Sequence, residues 1–227
     1  MKILLLIALL IYQIASAEEN LPVGKPVETY RELIQTKGPN ASLLYNLGNA
    51  QYQAENFGEA ILAYEQALIL DPRSPDIKTN LELARKAAAS FDADNGINPR
   101  LKLLYWLSYK EWLIFGAIIL VLLAAISLAR ASEKLTGNVT LKTPVIILVT
   151  LFVLVVSVVI LRYPELNRGI VVTDSAEVKI SPFESADSKA SLKAGRAVQI
   201  LDRHEKFYRI ENGWVSTDQV KPVVKKF

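Results

Sequence analysis

Two long uncharged apolar runs limit what this chain can fold into more than any other feature. Trp112 to Ala129 and Thr143 to Leu161 contain no Asp, Glu, Lys, Arg or His. As an α-helix, each is long enough to cross a hydrocarbon core of about 30 Å. The alternative is a helical hairpin buried in a soluble core, and no other part of the chain is large enough to cover one. Trp106, Tyr109 and Trp112 lead into the first run and Tyr163 follows the second, where interfacial aromatics belong. With no ionisable group at depth, the runs argue for anchoring over transport or proton relay. Gly116, Ala117, Ala124, Ala125 and Ser127 offer small packing positions to the second run or to a partner helix.

The remaining residues carry the charge. Hydrophobic content is 51% and charged content 22%, so apolar and charged residues are segregated along the chain. A formal net charge of +3 is too mild to argue for a nucleic-acid partner, which needs clustered Lys and Arg on one face. There is no cysteine, and His204 is the one histidine. That leaves little material for a transition-metal site or a nucleophile–base pair. Asp202, His204 and Glu205 cluster at an expected strand end and turn with no nucleophile beside them. No HExxH, G-x-S-x-G or phosphate-cradling glycine loop is present. The expectation is therefore no enzyme, no catalytic residue, no metal and no cofactor.

Lys2, the apolar stretch Ile3 to Ile14 and the small-residue triplet Ala15-Ser16-Ala17 have the composition of a secretory signal peptide over residues 1–17. An uncleaved anchor is the alternative. Either one exports the residues C-terminal to it. An exported N-terminal module places the loop 131–142, with Arg130, Lys134 and Lys142 against Glu133, in the cytoplasm. The expected plan is a helical region at 18–90, a linker at 91–110, spans at 111–130 and 143–162, and a β-domain at 166–227. Both folded parts then share the extracytoplasmic side of a bacterial inner membrane.

Within 18–90 the apolar period is helical over 26–37, 41–54, 57–70 and 75–89. Gly38-Pro39-Asn40 ends the first helix and caps the second, and Asp71-Pro72 stops the third. Ser74-Pro75-Asp76 combines a hydroxyl cap, Pro at the first helical position and an acid near the positive dipole end. From Gly169 onward the pattern changes to short β-segments: Ile170–Val172, Glu177–Ile180, Ala197–Leu201, Phe207–Ile210 and Trp214–Val215. Asn212-Gly213 marks a tight hairpin, and a small barrel or sandwich is the expected fold of this part.

The segment Ala41 to Ser74 resembles a tetratricopeptide repeat. Leu44, Leu47, Gly48, Tyr52, Phe57, Ala60, Tyr64, Ala67 and Pro72 stand where the roughly 34-residue repeat alternates large, small and aromatic positions. One repeat does not bury its own faces, so the flanking helices are expected to complete the stack. The first helices of such repeats line a concave groove, which makes Tyr45, Asn49, Tyr52 and Asn80 the candidate partner-binding residues. Peptide-binding members often carry Asn where Asn49 and Asn80 stand. Tyr45 replaces the basic residue of a carboxylate clamp, which argues against capture of a peptide C-terminus. A purely structural stack is the alternative.

The C-terminal segment resembles a bacterial SH3-type barrel, carried by Phe207-Tyr208-Arg209-Ile210, Gly213-Trp214-Val215 and Val220, with Val178, Pro182 and Ala194-Gly195 upstream. Tyr208 and Trp214 are its surface candidates, with core aromatics as the other reading. The order of parts, a leader, a tetratricopeptide unit, two close spans and an SH3-type barrel, resembles the BatE-like proteins of the bacterial aerotolerance operon. That resemblance implies an envelope adaptor working with membrane proteins that carry von Willebrand factor A domains and with a MoxR-type AAA+ ATPase. A tether that binds peptidoglycan through the barrel is the alternative.

Overall fold

The computed structural model describes residues 24–89, 104–131 and 142–224. The leader at 1–17, most of the linker at 91–110 and nearly all of the loop at 131–142 lie outside the described residues.

The N-terminal part is a stack of α1 (Val27–Lys37), α2 (Ala41–Gln53), α3 (Phe57–Leu70) and α4 (Pro75–Ala87). Local chemistry sets the starts. Asn40 Oδ1 accepts from Leu43 N at 2.8 Å, and Ser74 Oγ accepts from Ile77 N at 3.4 Å with Pro75 beside it at the first helical position. Leu44, Ile61, Tyr64, Ala67, Ile77 and Leu81 fill the space between the helices. Gly48 allows the closest approach: a Cβ there would lie 2.5 Å from the Tyr64 ring.

The two apolar runs form α5 (Tyr109–Ala131) and α6 (Lys142–Arg162). With mean hydropathies of 2.4 and 3.2 over their apolar stretches, both are long and apolar enough to cross a membrane. They pack antiparallel: Tyr109 Oη at the start of α5 donates to Val159 O near the end of α6 at 2.8 Å, and Gly116 lies against Val155. Ser108 and Glu111 start α5 with a capping box. Ser108 N donates to Glu111 Oε2 at 2.7 Å, and Glu111 N donates to Ser108 Oγ at 3.2 Å. Where the helices come together, Arg162 is only 3% exposed. It lies over the rings of Tyr105 and Tyr109, 4.6 and 5.3 Å from their centroids. Its guanidinium donates to Leu107 O at 2.7 Å and to Glu165 at 3.1 Å.

A 3₁₀ turn (Tyr163–Asn167) leads into the strands β1 (Arg168–Val171), β2 (Ser175–Lys179), β3 (Ser188–Lys193), β4 (Ala197–Gln199), β5 (Asp202–His204), β6 (Phe207–Ile210), β7 (Gly213–Ser216) and β8 (Val220–Pro222). They form two antiparallel sheets, one ordered β4-β1-β8 and the other β3-β2-β7-β6-β5. The expected closed barrel is therefore corrected to two separate sheets. The larger one ends in β3 and β5, whose backbone edges pair with no strand of the small sheet, so the ladder does not close. Val171, Val178, Ile210, Val215 and Val220 pack between the sheets.

The small sheet is buried on its other face as well, against α3. Successive strand residues point to opposite faces. Val171 and Val198 pack into the inter-sheet core, while Ile170 and Ala197 join the helical core together with Val172 and Val223. Polar pairs line the same seam. Glu65 of α3 accepts from Arg85 and, at 2.7 Å, from Arg168; Glu59 accepts from Lys221. Gly58 permits the contact, because a Cβ there would stand 2.7 and 2.8 Å from the carbonyl oxygens of Val172 and Val171. Helices, small sheet and large sheet are three layers, and the small sheet, as the middle one, contributes to the core on each of its faces.

Candidate functional site

The helical spacing puts Tyr45, Asn49 and Tyr52 on one face of α2, and Asn80 faces them from α4. These side chains bond to one another. Asn80 Nδ2 donates to Asn49 Oδ1 at 2.9 Å and to Tyr45 Oη at 3.0 Å, and Tyr64 Oη of α3 donates to Asn49 Oδ1 at 2.7 Å. The network uses the amide oxygen of Asn49 and the amide nitrogen of Asn80. It leaves the Asn49 amide nitrogen as a donor and the Asn80 amide oxygen as an acceptor, the complement of a peptide group. The Tyr64 phenol is held above its ordinary range, first by burial and then by the neighbouring Tyr45. It therefore stays a neutral donor at physiological pH.

This face opens into a cleft of about 280 Å³ lined by Tyr30, Asn49, Tyr52, Tyr64, Asn80 and Leu83, among others. No charged side chain lines it among the described residues. Asn49, Tyr52 and Asn80 border the cleft directly. Tyr45 stands behind them, bonded to Asn80 and tilted against Tyr64 with ring centroids 6.0 Å apart. Tyr52 is fixed edge-on to Phe57 at 5.5 Å. The sequence reading missed Tyr64 and Tyr30. Tyr64 occupies an aromatic packing position of the repeat, and only its hydroxyl, aimed at Asn49, makes it part of the site.

The candidates on the β-domain do not come together. Tyr208 stands opposite Val215 in the β6–β7 register and packs on the inter-sheet core. Trp214 precedes Val215 and so faces the other way, 6.3 Å edge-on from His204 on the outer face. Tyr208 is a core-side aromatic with Arg203 5.9 Å over its ring, whereas Trp214 is a half-buried surface aromatic.

Comparison with known proteins matches the Tetratricopeptide repeat family at residues 41–74, from the start of α2 to the cap of α4. No curated protein and no solved structure matches the chain. The repeat is a non-catalytic interaction motif, and no enzyme family matches. The chain therefore carries one tetratricopeptide repeat, completed by α1 and α4 into a stack with a neutral, amide-lined cleft.

Proposed function

We propose that this chain is a membrane-anchored adaptor that docks a partner protein in the cleft formed by α1, α2 and α4. The observation that carries the reading is the Tyr64–Asn49–Asn80–Tyr45 network, which holds one amide donor and one amide acceptor ready in an uncharged cleft. The two apolar helices are its membrane anchor. The seam between α3 and the small sheet supports a hairpin topology, because the helical part and the β-domain must share a compartment to touch. The leader composition puts that compartment outside the cytoplasm of a bacterial cell.

The resemblance to BatE-like proteins extends the proposal to a complex of the bacterial envelope linked to aerotolerance or stress resistance. Its partners would be membrane proteins with von Willebrand factor A domains and a MoxR-type AAA+ ATPase system. The SH3-type reading of residues 166–227 belongs to the same proposal. The peptidoglycan tether draws less support, because Tyr208 and Trp214 lie on opposite faces and do not build an aromatic groove.

The test is a pull-down of the tagged full-length protein from its own membranes in detergent, with mass-spectrometric identification. Recovery of von Willebrand factor A-domain membrane proteins, lost in the Asn49→Ala/Asn80→Ala double variant, is the expected result. Equal recovery with the double variant sinks the cleft as the docking site. Recovery of cell-wall material alone would favour the tether.

A further inference from the structure

The helical stack that carries the cleft is bound at two points to the chain ends of the apolar hairpin. Arg73, between α3 and α4, donates to both carboxylate oxygens of Glu111 at 2.7 and 3.3 Å and to Trp106 O at 3.3 Å. Its guanidinium also lies 5.4 Å over the Trp106 ring. Glu111 belongs to the first turn of α5, where the apolar stretch begins. At the same end of the hairpin, Arg168 follows the 3₁₀ turn after α6 and donates to Glu65 of α3. Both helix ends therefore grip the same stack.

These anchors set how far the cleft stands from the bilayer. With two non-helical steps from Arg73 to Pro75 and a rise of 1.5 Å per residue after that, Asn80 lies within about 15 Å of Arg73 and Leu83 within about 20 Å, whichever way α4 is inclined. A folded domain of about 100 residues has a radius of gyration near 13 Å, so it has little room between the cleft and the bilayer. An extended chain leaving the same membrane covers the gap in about six residues. Membrane confinement also raises its effective concentration at the cleft.

Building on the adaptor reading, we infer that the cleft takes an extended, uncharged segment of another integral membrane protein, within about ten residues of that protein's own span. The segment is uncharged because the described lining offers no charged side chain to pair with.

Two measurements test this. The chain has no cysteine, so Leu83→Cys gives a single spin-label site. In nanodiscs of phosphatidylethanolamine and phosphatidylglycerol with a nickel-chelating headgroup lipid, the label at position 83 should relax strongly. It should relax less when Arg73→Ala and Glu111→Ala are added. No headgroup-dependent relaxation would overturn the placement. In native membranes, a photo-reactive residue at position 83 should cross-link to partner residues within about ten positions of an apolar span. Cross-links to soluble proteins, or far from any span, would overturn the inference. If those cross-links are still lost in Asn49→Ala/Asn80→Ala, the adaptor reading survives. Absence of any cross-link that depends on Asn49 and Asn80 would sink both.

Discussion

Glu65 and Arg168 meet at 2.7 Å across 103 residues of sequence, and both apolar helices lie between them in the chain. Glu65 also accepts from Arg85, so one buried carboxylate holds two guanidiniums. Glu65→Ala leaves those cations facing each other and should cost about 3–5 kcal/mol, the range for breaking a buried pair from one side. Arg168→Met leaves Glu65 with Arg85 and should cost distinctly less. Thermal unfolding of the two variants in nanodiscs checks the ranking, and the reverse order would show that Glu65 is not the hub.

Gly58→Ala tests the same seam sterically. The new methyl would meet two carbonyl oxygens of the β1 end, which are backbone and have no rotamer to yield. A loss of about 1–3 kcal/mol is expected, as for other overpacked sites. Limited proteolysis should show residues 168–224 released first. Gly116→Ala is the matched control, since its methyl would only touch Val155 at 3.4 Å. Equal protease resistance in the two variants would contradict the close approach.

Tyr64→Phe removes one hydroxyl and should cost about 0.5–1.5 kcal/mol. It also carries a pH signature. The folded phenol is raised above its unfolded value of 10.0, so the native state holds the proton more tightly. That contribution is complete below pH about 10 and fades as pH climbs through the higher folded value. Denaturation midpoints should therefore fall above pH about 10 in the parent protein and fall less steeply in Tyr64→Phe. Parallel pH profiles would remove Tyr64 from the network.

Ser108→Ala removes the hydroxyl that accepts from Glu111 N. The expected cost is about 1 kcal/mol, expressed as fraying at the start of α5. Hydrogen exchange at residues 109–112 should quicken while that of α2 and α3 stays unchanged. A uniform change would place the effect elsewhere.

The helices were readable because their signals are local: an apolar period, Asn40 and Ser74 as caps, and Asp71-Pro72 as a stop. The apolar runs were readable for the same reason. β3 (SKASLK) and β5 (DRH) were not, because edge strands with exposed side chains carry no alternating apolar face. The capping box Ser108-x-x-Glu111 is present in the letters, but the reading of 91–110 as a linker concealed it. Asn49 and Asn80 followed from their places in the repeat, whereas the Tyr64 hydroxyl depends on a partner 15 residues away in another helix. The seam left no local mark at all. Ile170 and Val223 look like ordinary strand residues and Glu65 like a solvent-facing acid, and only the fold brings them together.

The completion of the helical core by Ile170 and Val223 makes the helical stack depend on residues that follow both apolar helices in the chain. These residues are synthesised after both apolar helices, so α3 waits with an uncovered apolar face and an incompletely paired Glu65 until the hairpin is in place. In a bilayer, only an even number of crossings returns β1 and β8 to the side where α3 waits. In the proposed membrane setting, the seam therefore forms only in molecules whose two apolar helices lie as a hairpin.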